Sequence, residues 1–204
     1  MYKDPERNYA IHFETIRSTV ASDEAGVHLA ENPFLGHLNL RGDPANKSFR
    51  EGASKALGTT IPVKPNTVSK GDNTTVVWLG PNEWLVITPT GQESIISDSL
   101  RKDLDGIHTS VTDVTGGHTV LTIKGQHARD TLSKGCSLDI HPRVFGPGQC
   151  AQTLIAKVVV TIVHNENSPS YDLIVRRSFA EYLCQWLQDA AQEYGINMVG
   201  DSRS

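Results

Sequence analysis

The histidine that precedes Pro142 is the first candidate for chemistry in this sequence. His141 stands two residues after Asp139 and two residues before Arg143. A histidine that is oriented by a carboxylate can act as a general base, so this spacing is compatible with proton transfer. A histidine at a surface or interface is the more common case, and it is the interpretation that we favour.

Arg176 and Arg177 form a second candidate, which is an anion site. The pair stands just before the last predicted helix. The positive end of a helix attracts anions, but both arginines precede the residues that we expect to cap this helix, so they are badly placed to use it. We expect them to face solvent or a partner. The residues predicted for a partner interface or an anion site are His141, Arg143, Phe145, Arg176 and Arg177.

The usual signatures of catalysis and cofactor binding are missing from the sequence. It has no Gly-x-x-x-x-Gly-Lys-Ser/Thr phosphate loop, no Gly-x-Gly-x-x-Gly dinucleotide turn and no Gly-x-Ser-x-Gly nucleophile elbow. The eight histidines lack the His-x-His and His-Glu-x-x-His spacings that are typical of metal sites. We therefore predict no catalytic residue, no cofactor site and no metal site in this chain.

Composition and charge argue against other classes of protein. A net charge of −4 over 204 residues provides no basic field for a nucleic-acid backbone. The longest apolar run, residues 158–163, is far shorter than the ~20 residues that span a bilayer. No apolar segment follows the first residues, so we expect no signal peptide and a cytoplasmic location. The odd number and wide spacing of Cys136, Cys150 and Cys184 predict buried, reduced thiols.

A repeated stretch indicates how the elements that carry these residues are organised. Residues 121–128 read Leu-Thr-Ile-Lys-Gly-Gln-His-Ala, and residues 38–45 read Leu-Asn-Leu-Arg-Gly-Asp-Pro-Ala. In each stretch an alternating apolar run meets a basic residue and a glycine, which is typical of a strand that stops at a turn before a helix. A second echo pairs residues 83–87 with residues 171–175. We infer that the chain contains one unit twice.

The repeat predicts the division of the chain. We expect an N-terminal arm with little regular structure at residues 1–32, a first β/α half at 33–107 and a second β/α half at 108–200. The two halves would form one compact duplicated domain over residues 33–200. Because each half is predicted to contain strands, a helix, more strands and a second helix, the fold class is α+β with mostly antiparallel sheets.

Local patterns place the individual elements. In the first half we predict helices near residues 47–57 and 92–104, with a hairpin between them whose strands carry Trp78 and Trp84 as packing residues. In the second half, Gly116 and Gly117 would close a tight hairpin. These glycines would be followed by a short helix at 126–134, two strands or one bent strand over 149–163, and a strand at 171–175.

The last helix has the clearest start signal. Ser178 followed three residues later by Glu181 is a capping box, in which each side chain satisfies an exposed backbone amide of the helix. The stripe predicted to face a sheet consists of Phe179, Leu183, Trp186, Leu187, Ala190 and Tyr194.

Several segments of the second half carry a family resemblance. Residues 134–142 read Lys-Gly-Cys-Ser-Leu-Asp-Ile-His-Pro, and residues 145–153 read Phe-Gly-Pro-Gly-Gln-Cys-Ala-Gln-Thr. Together with residues 171–173 and 177–180, they closely resemble the gamma subunit of heterotetrameric sarcosine oxidase. Residues 79–85, Leu-Gly-Pro-Asn-Glu-Trp-Leu, are similar to the first-half signature of that family. The resemblance covers roughly residues 35–195 and leaves residues 1–32 unmatched.

More distantly, this family is similar to the folate-binding domain of the glycine-cleavage aminomethyltransferase, the T-protein. That resemblance implies a duplicated ferredoxin-like β/α unit whose halves exchange their N-terminal strands. The repeat found in the residues is consistent with such a fold.

The resemblance also implies an assembly in which other subunits carry the chemistry. An alpha subunit would hold NAD and a folate site, a beta subunit FAD and covalently attached FMN, and a small delta subunit zinc. Sarcosine would be oxidatively demethylated to glycine, its one-carbon unit passed to tetrahydrofolate, and oxygen reduced to hydrogen peroxide. No chemical step is assigned to the gamma subunit in that scheme. We therefore expect a structural subunit that packs against the alpha or beta chain.

Two alternatives stay open at this point. A stand-alone folate binder or aminomethyltransferase-like protein would need a pocket at the centre of the duplicated sheets, with Asp113 or Asp139 as the carboxylate for the pterin. The sequence lacks the additional domains that the transferase uses, which counts against this alternative. The second alternative is a scaffold subunit of a related N-methyl amino acid dehydrogenase. The sequence cannot distinguish it from a sarcosine oxidase subunit, because the substrate would not touch this chain.

Overall fold

Two sheets that face each other, with helices on their outer sides, form the protein. The computed structural model describes residues 10–11, 18–166 and 169–199. The elements, in chain order, are β1 Val27–Asn32, β2 Gly36–Arg41, α1 Lys47–Leu57, β3 Val68–Lys70, β4 Thr75–Gly80, β5 Glu83–Thr88, α2 Glu93–Asp103, β6 Ser110–Asp113, β7 His118–Lys124, α3 Ala128–Ser133, β8 Cys150–Ile155, β9 Val158–His164, β10 Ser170–Arg176, α4 Arg177–Ala190 and β11 Ile196–Val199. Apart from the parallel pair β1–β11, the paired strands are antiparallel. The predicted α+β class with mostly antiparallel sheets is confirmed.

The order of the strands shows the duplication directly. One sheet has the order β6-β2-β5-β4-β3, and the other has β1-β7-β10-β9-β8 with β11 added beside β1. The two orders correspond strand by strand. In chain order β1 comes directly before the other strands of the first half but pairs with β7 of the second, and β6 is the first strand of the second half but pairs with β2 of the first. The halves therefore exchange their N-terminal strands, as the resemblance implied.

The exchange overturns the hairpin that was predicted at Gly116 and Gly117. Residues Thr115–Gly117 form a 3₁₀ turn, and the strands on either side of it belong to different sheets. The turn therefore connects the two sheets, because β6 is an edge strand of the first sheet and β7 lies between β1 and β10 in the second. Neither glycine has the positive φ of a tight hairpin turn.

The exchange also corrects the prediction for residues 1–32. The last six of them form β1, in which Val27 and Leu29 are completely buried beneath the helices of the second half. Ile11 is buried in the same core. Residues 1–9 and 12–17 lie outside the described part of the chain. The sequence did not indicate this strand, because the third position of its buried face is the charged Glu31, so that the apolar alternation is limited to Val27 and Leu29.

The first half agrees closely with its sequence pattern. Helix α1 buries Phe49, Ala53 and Leu57, and it ends at Gly58, whose φ of 66° is easily reached only without a side chain. Trp78 and Trp84 lie directly opposite each other on β4 and β5, as expected of cross-strand packing residues. The short edge strand β3 was not predicted from the sequence.

Helix α1 has a side-chain cap whose contribution can be measured. Oδ1 of Asn46 accepts hydrogen bonds from the amides of Ser48 at 2.9 Å and Phe49 at 3.3 Å. Replacing Asn46 by alanine leaves these amides without that acceptor, so we expect the free energy of unfolding to fall by about 1 kcal/mol. Urea denaturation measures the change. Asn46→Asp keeps a capping oxygen and is the matched control; equal losses in both variants would show that the cap contributes nothing.

Helix α4 differs from its prediction at the start and on one face. It begins at Arg177 with Arg176 as the N-cap, so Ser178 already lies in the first turn and does not cap the helix. The buried face contains Leu183, Cys184 and Leu187 as well as two alanines. Phe179, which was predicted to face the sheet, is instead 47% exposed. Helix α4 follows β10 directly, without an intervening loop, so its first turn begins one residue before Ser178.

Candidate functional site

Two clefts lie between the facing sheets, separated by a small apolar layer. This layer consists of the buried residues Val77, Leu85, Val120, Cys150, Val163 and Ile174. Ile174 lines both clefts. Because the shared layer is small compared with the two helix-covered cores, the sheets leave space on either side of it, where strand ends from both halves meet.

The larger cleft, of about 800 Å³, gathers positive charge. It is lined by Arg41 at the end of β2, Lys157 in the turn between β8 and β9, and Arg176 at the end of β10. Val159 and Phe179 add apolar surface. We call this space, defined by these five residues, the cationic cleft. It could not be recognised from the sequence, because its side chains come from strands that are distant along the chain.

Polar contacts hold the walls of the cationic cleft. The Asn39 amide donates to Oε1 of Glu83 at 2.8 Å, and Oε2 of Glu83 lies 3.8 Å from Nη2 of Arg41. Nε2 of Gln152 donates to the carbonyl oxygen of Leu79 at 2.8 Å, which links the two sheets. Arg41 therefore has an ion-pair partner within the first sheet, and Lys157 and Arg176 provide the positive charge from the second sheet.

The smaller cleft, of about 520 Å³, contains a carboxylate that the sequence did not single out. The amide of Asn32 donates to Oγ1 of Thr122 at 2.7 Å, and this hydroxyl donates to Oδ1 of Asp172 at 2.6 Å. The three residues lie on adjacent strands, with Ala30 and Asp172 both opposite Thr122 in the ladders. This chain of hydrogen bonds satisfies polar side chains on the inner face of the sheet.

The buried His37 and the half-buried His118 lie where the sheets are connected. The rings of His37 on β2 and His118 on β7 are 5.9 Å apart. Burial lowers the pKa of His37 to about 4, assisted by His118 and opposed by the Leu35 backbone and Asp113. Burial and the nearby Arg176 also lower the pKa of His118. Both rings are therefore neutral near pH 7.

The loop around His141 does not form an oriented base. Asp139, His141 and Arg143 are all exposed. Oδ1 of Asp139 accepts the backbone amide of His141 at 2.9 Å, and Nδ1 of His141 accepts the backbone amide of Arg143 at 3.2 Å. The carboxylate therefore organises a turn instead of orienting the imidazole, and the histidine is a surface residue.

The other predicted interface residues have different surroundings. Arg176 is exposed in the cationic cleft, and Arg177 is half-buried in the first turn of α4. Phe145 is only 4% exposed and stacks on His164, whose Nδ1 lies 2.9 Å from the Phe145 carbonyl oxygen. Packing within the chain accounts for Phe145, so we do not include it in a proposed interface.

The carboxylates named for a pterin do not lie at the centre of the sheets. Asp113 is exposed and accepts the backbone amide of Thr115 at 2.9 Å, and Asp139 is engaged in the loop turn described above. Neither residue lines either cleft. Asp172 lines the smaller cleft, and its hydrogen bond to Thr122 already engages one oxygen.

The three thiols are free, and burial disfavours ionisation of two of them. Cys150 and Cys184 are buried, and Cys136 is half-buried. Burial raises the pKa of Cys150 to about 11 and raises the pKa of Cys184 further above its usual value. Since the thiolate is the reactive form, these two side chains are poor nucleophiles. Within the described ranges, no three or more His, Cys, Asp or Glu side chains converge as metal ligands.

The fold defines the class to which the chain is related. The glycine cleavage system aminomethyltransferase T from Bartonella henselae superposes with a TM-score of 0.63 over 86% of this chain and 48% of that one, at 14% sequence identity. That likeness is one of fold, namely the duplicated unit with exchanged strands. Residues 41–193 match the model of the sarcosine oxidase, gamma subunit family. The chain belongs to this family.

Relatives and a solved structure agree with the family. The sarcosine oxidase subunit gamma of Corynebacterium sp. (strain P-1) is 32% identical over 85% of this chain and 84% of that protein. The corresponding subunit of an Arthrobacter species is also 32% identical, over 87% and 86%. A chain of the heterotetrameric sarcosine oxidase from Corynebacterium sp. U-96, in complex with pyrrole 2-carboxylate, superposes with a TM-score of 0.77 at 31% identity, covering 86% and 88%.

No helix among residues 10–11, 18–166 and 169–199 has both the length and the apolar composition to cross a membrane.

Proposed function

We propose that this chain is the gamma subunit of a heterotetrameric sarcosine oxidase and that it serves the assembly without carrying out a chemical step. The observation that carries the proposal is the match to a chain of such an oxidase, with a TM-score of 0.77 and coverage of 88% of that chain. Agreement over nearly the whole length of both chains indicates a shared role as a subunit.

The chemistry of the described side chains supports a structural role. Oxidation of an amine requires an electron acceptor, and amino-acid side chains do not supply one for hydride removal. The pKa values of His37 and His118 are lowered, which makes both imidazoles weak bases, and the pKa values of the buried thiols Cys150 and Cys184 are raised. These groups do not have the properties of a base or nucleophile that works near pH 7.

The proposal places the redox chemistry on the partner subunits. Alpha, beta and delta chains would hold NAD, FAD, FMN, zinc and tetrahydrofolate between them. Together they would convert sarcosine to glycine, transfer the one-carbon unit to tetrahydrofolate and form hydrogen peroxide, in the cytoplasm. The gamma chain would stabilise the contact between these larger subunits.

Isolation of the chain from its native cell tests this proposal. A tagged copy at its natural level, purified under mild conditions and analysed by mass spectrometry, should bring three other chains with it in equal amounts. The isolated complex should oxidise sarcosine faster than other N-methyl amino acids. Recovery of the chain by itself would contradict the proposal, whereas a complex that prefers another N-methyl amino acid would assign the scaffold role to a different dehydrogenase.

A further inference from the structure

The cationic cleft concentrates positive charge on an acidic protein. The chain has a net charge of −4, yet Arg41, Lys157 and Arg176 line this one space. Glu83 is the carboxylate among the described lining residues, and it is paired with Arg41. The positive charge that remains would attract a negatively charged binding partner and would repel a positively charged one.

Apolar side chains lie beside these charges and are open to solvent. Val159 is 68% exposed and Phe179 is 47% exposed, and both line the cleft. Leu154, 45% exposed, lies directly opposite Val159 on β8 and therefore faces the same side of the sheet. Exposed apolar side chains that are grouped and bordered by charge are typical of a surface that another protein covers.

The position of Val159 in its strand strengthens this interpretation. Alternate residues of β9, Val158 and Val160, are buried under the helices, and Val159 points to the opposite side, towards the other sheet. Farther along the same face, Val163 is covered by the apolar layer between the sheets. The inner face of this sheet therefore extends farther than the area that the first sheet covers. Apolar surface around Val159 is left that no other part of the described chain buries.

We propose that the cationic cleft is the surface by which this chain binds another subunit of the oxidase. The occupant is an extended segment of that subunit, with apolar side chains against Val159 and Phe179 and a carboxylate that pairs with Arg176. This inference rests on the proposed function and adds to it the location of the contact and the chemistry of the partner. Phenylalanine and arginine in contact with a partner are the kinds of side chain that contribute much of an interface's affinity.

A small ligand fits the cleft less well than a polypeptide. Binding sites for small molecules bury most of the surface of their ligand and are lined by side chains that are largely enclosed. Here the two apolar side chains retain about half or more of their accessible surface, and charges stand around them. A polypeptide segment that continues beyond the cleft can cover such side chains, which an isolated small molecule cannot do.

Two single variants of the full-length chain test the proposal. Val159→Asp places a carboxylate on the apolar surface, and Arg176→Glu reverses the charge expected to pair with the partner. The dissociation constant for the assembly of the remaining subunits is measured by biolayer interferometry at low and at high salt. We expect each variant to raise it about tenfold at low salt. At high salt Arg176→Glu should lose most of this effect, because it acts through charge, whereas Val159→Asp should keep most of it, because the carboxylate must be desolvated against apolar surface.

Matched controls lie elsewhere on the surface. Ile95→Asp on α2 changes an aliphatic side chain that is 61% exposed, and Lys64→Glu reverses the charge of an exposed residue between α1 and β3. Both should bind within about twofold of the unaltered chain. Circular dichroism shows whether each variant folds. If Val159→Asp does not fold, Phe179→Ala is used in its place. We expect Phe179→Ala to raise the dissociation constant about fivefold, because it only shortens a partly exposed side chain.

The outcomes separate this inference from the proposed function. If the unaltered chain binds and both cleft variants bind equally well, the cleft is not the contact, while the subunit role stands. If the unaltered chain does not bind the other subunits, the proposed function itself fails. Saturable binding of tetrahydrofolate that Arg176→Glu abolishes, without any effect on subunit binding, would assign the cleft to a small ligand and overturn the inference.

Discussion

Replacing Trp84 by alanine is expected to lower the free energy of unfolding by about 3–5 kcal/mol. The indole is completely buried in the core of the first half, with its ring 5.6 Å from that of Phe49. Its Nε1 donates to the carbonyl oxygen of Pro62 at 2.7 Å. The substitution would therefore leave both a cavity and a buried carbonyl without its donor. Urea denaturation followed by circular dichroism measures the loss.

The neighbouring tryptophan provides the control for this prediction. Trp78 lies directly opposite Trp84 on β4 but is only half-buried. Trp78→Ala should therefore cost less than Trp84→Ala, since less apolar surface is returned to water. Equal losses at the two positions, or a loss below about 1 kcal/mol for Trp84→Ala, would show that the core of the first half is not arranged as described.

Stability is expected to fall by about 3 kcal/mol as the pH is lowered from 6.5 to 4, owing to His37. In the unfolded chain His37 binds a proton near its ordinary pKa of 6.5, whereas in the folded chain burial lowers its pKa to about 4. Between these values the unfolded state binds more protons, so acid favours unfolding. The neutral ring contributes its full share of the free energy of unfolding above pH 6.5. This contribution is lost as the pH falls from 6.5 to about 4.

The groups around His37 define the experiment. His118 faces its ring and adds to the lowering of the pKa, while Asp113 and the Leu35 backbone act in the opposite direction. Urea denaturation at pH 7, 6, 5 and 4 gives the dependence, and His37→Leu should make it less steep, because only His118 of this pair, whose pKa is also lowered, then contributes. His108→Gln, at an exposed histidine, should leave the dependence unchanged. An identical slope in the chain with His37→Leu would exclude His37 as its source.

Local elements were predictable where one residue type has a strong local effect. Gly58 ends α1 through its positive φ, and Asn46 caps the helix two residues before Ser48. In each case the signal lies within a few neighbouring residues, which is the range over which a sequence pattern carries information.

The partners of the strands were not predictable from the residues. Two apolar runs joined by Gly116 and Gly117 have the local appearance of a hairpin, and only long-range pairing places them in separate sheets. β1 and β11 pair across most of the chain, with Val27 opposite Ile196. It was the resemblance to a duplicated fold, and not the residue pattern, that implied the exchange.

The candidate site was also predictable only in part. Arg176 was expected to face solvent or a partner, and it lies exposed in the cationic cleft. Val159 belongs to an apolar run that suggested a buried strand, yet its side chain is exposed because the other sheet does not reach it. The position of the cleft depends on how far the two sheets overlap when they pack. The apolar periodicity of the sequence carries no information about that overlap.

Reconstitution of the oxidase with and without this chain tests the central claim most directly. The purified chain should produce no hydrogen peroxide from sarcosine by itself, and sedimentation velocity should show it joining the other three subunits in equal proportion. The assembly without it should dissociate more readily and lose activity as it does so. Peroxide formation from sarcosine by the isolated chain, or an assembly whose stability and activity are unaffected by its omission, would contradict the account.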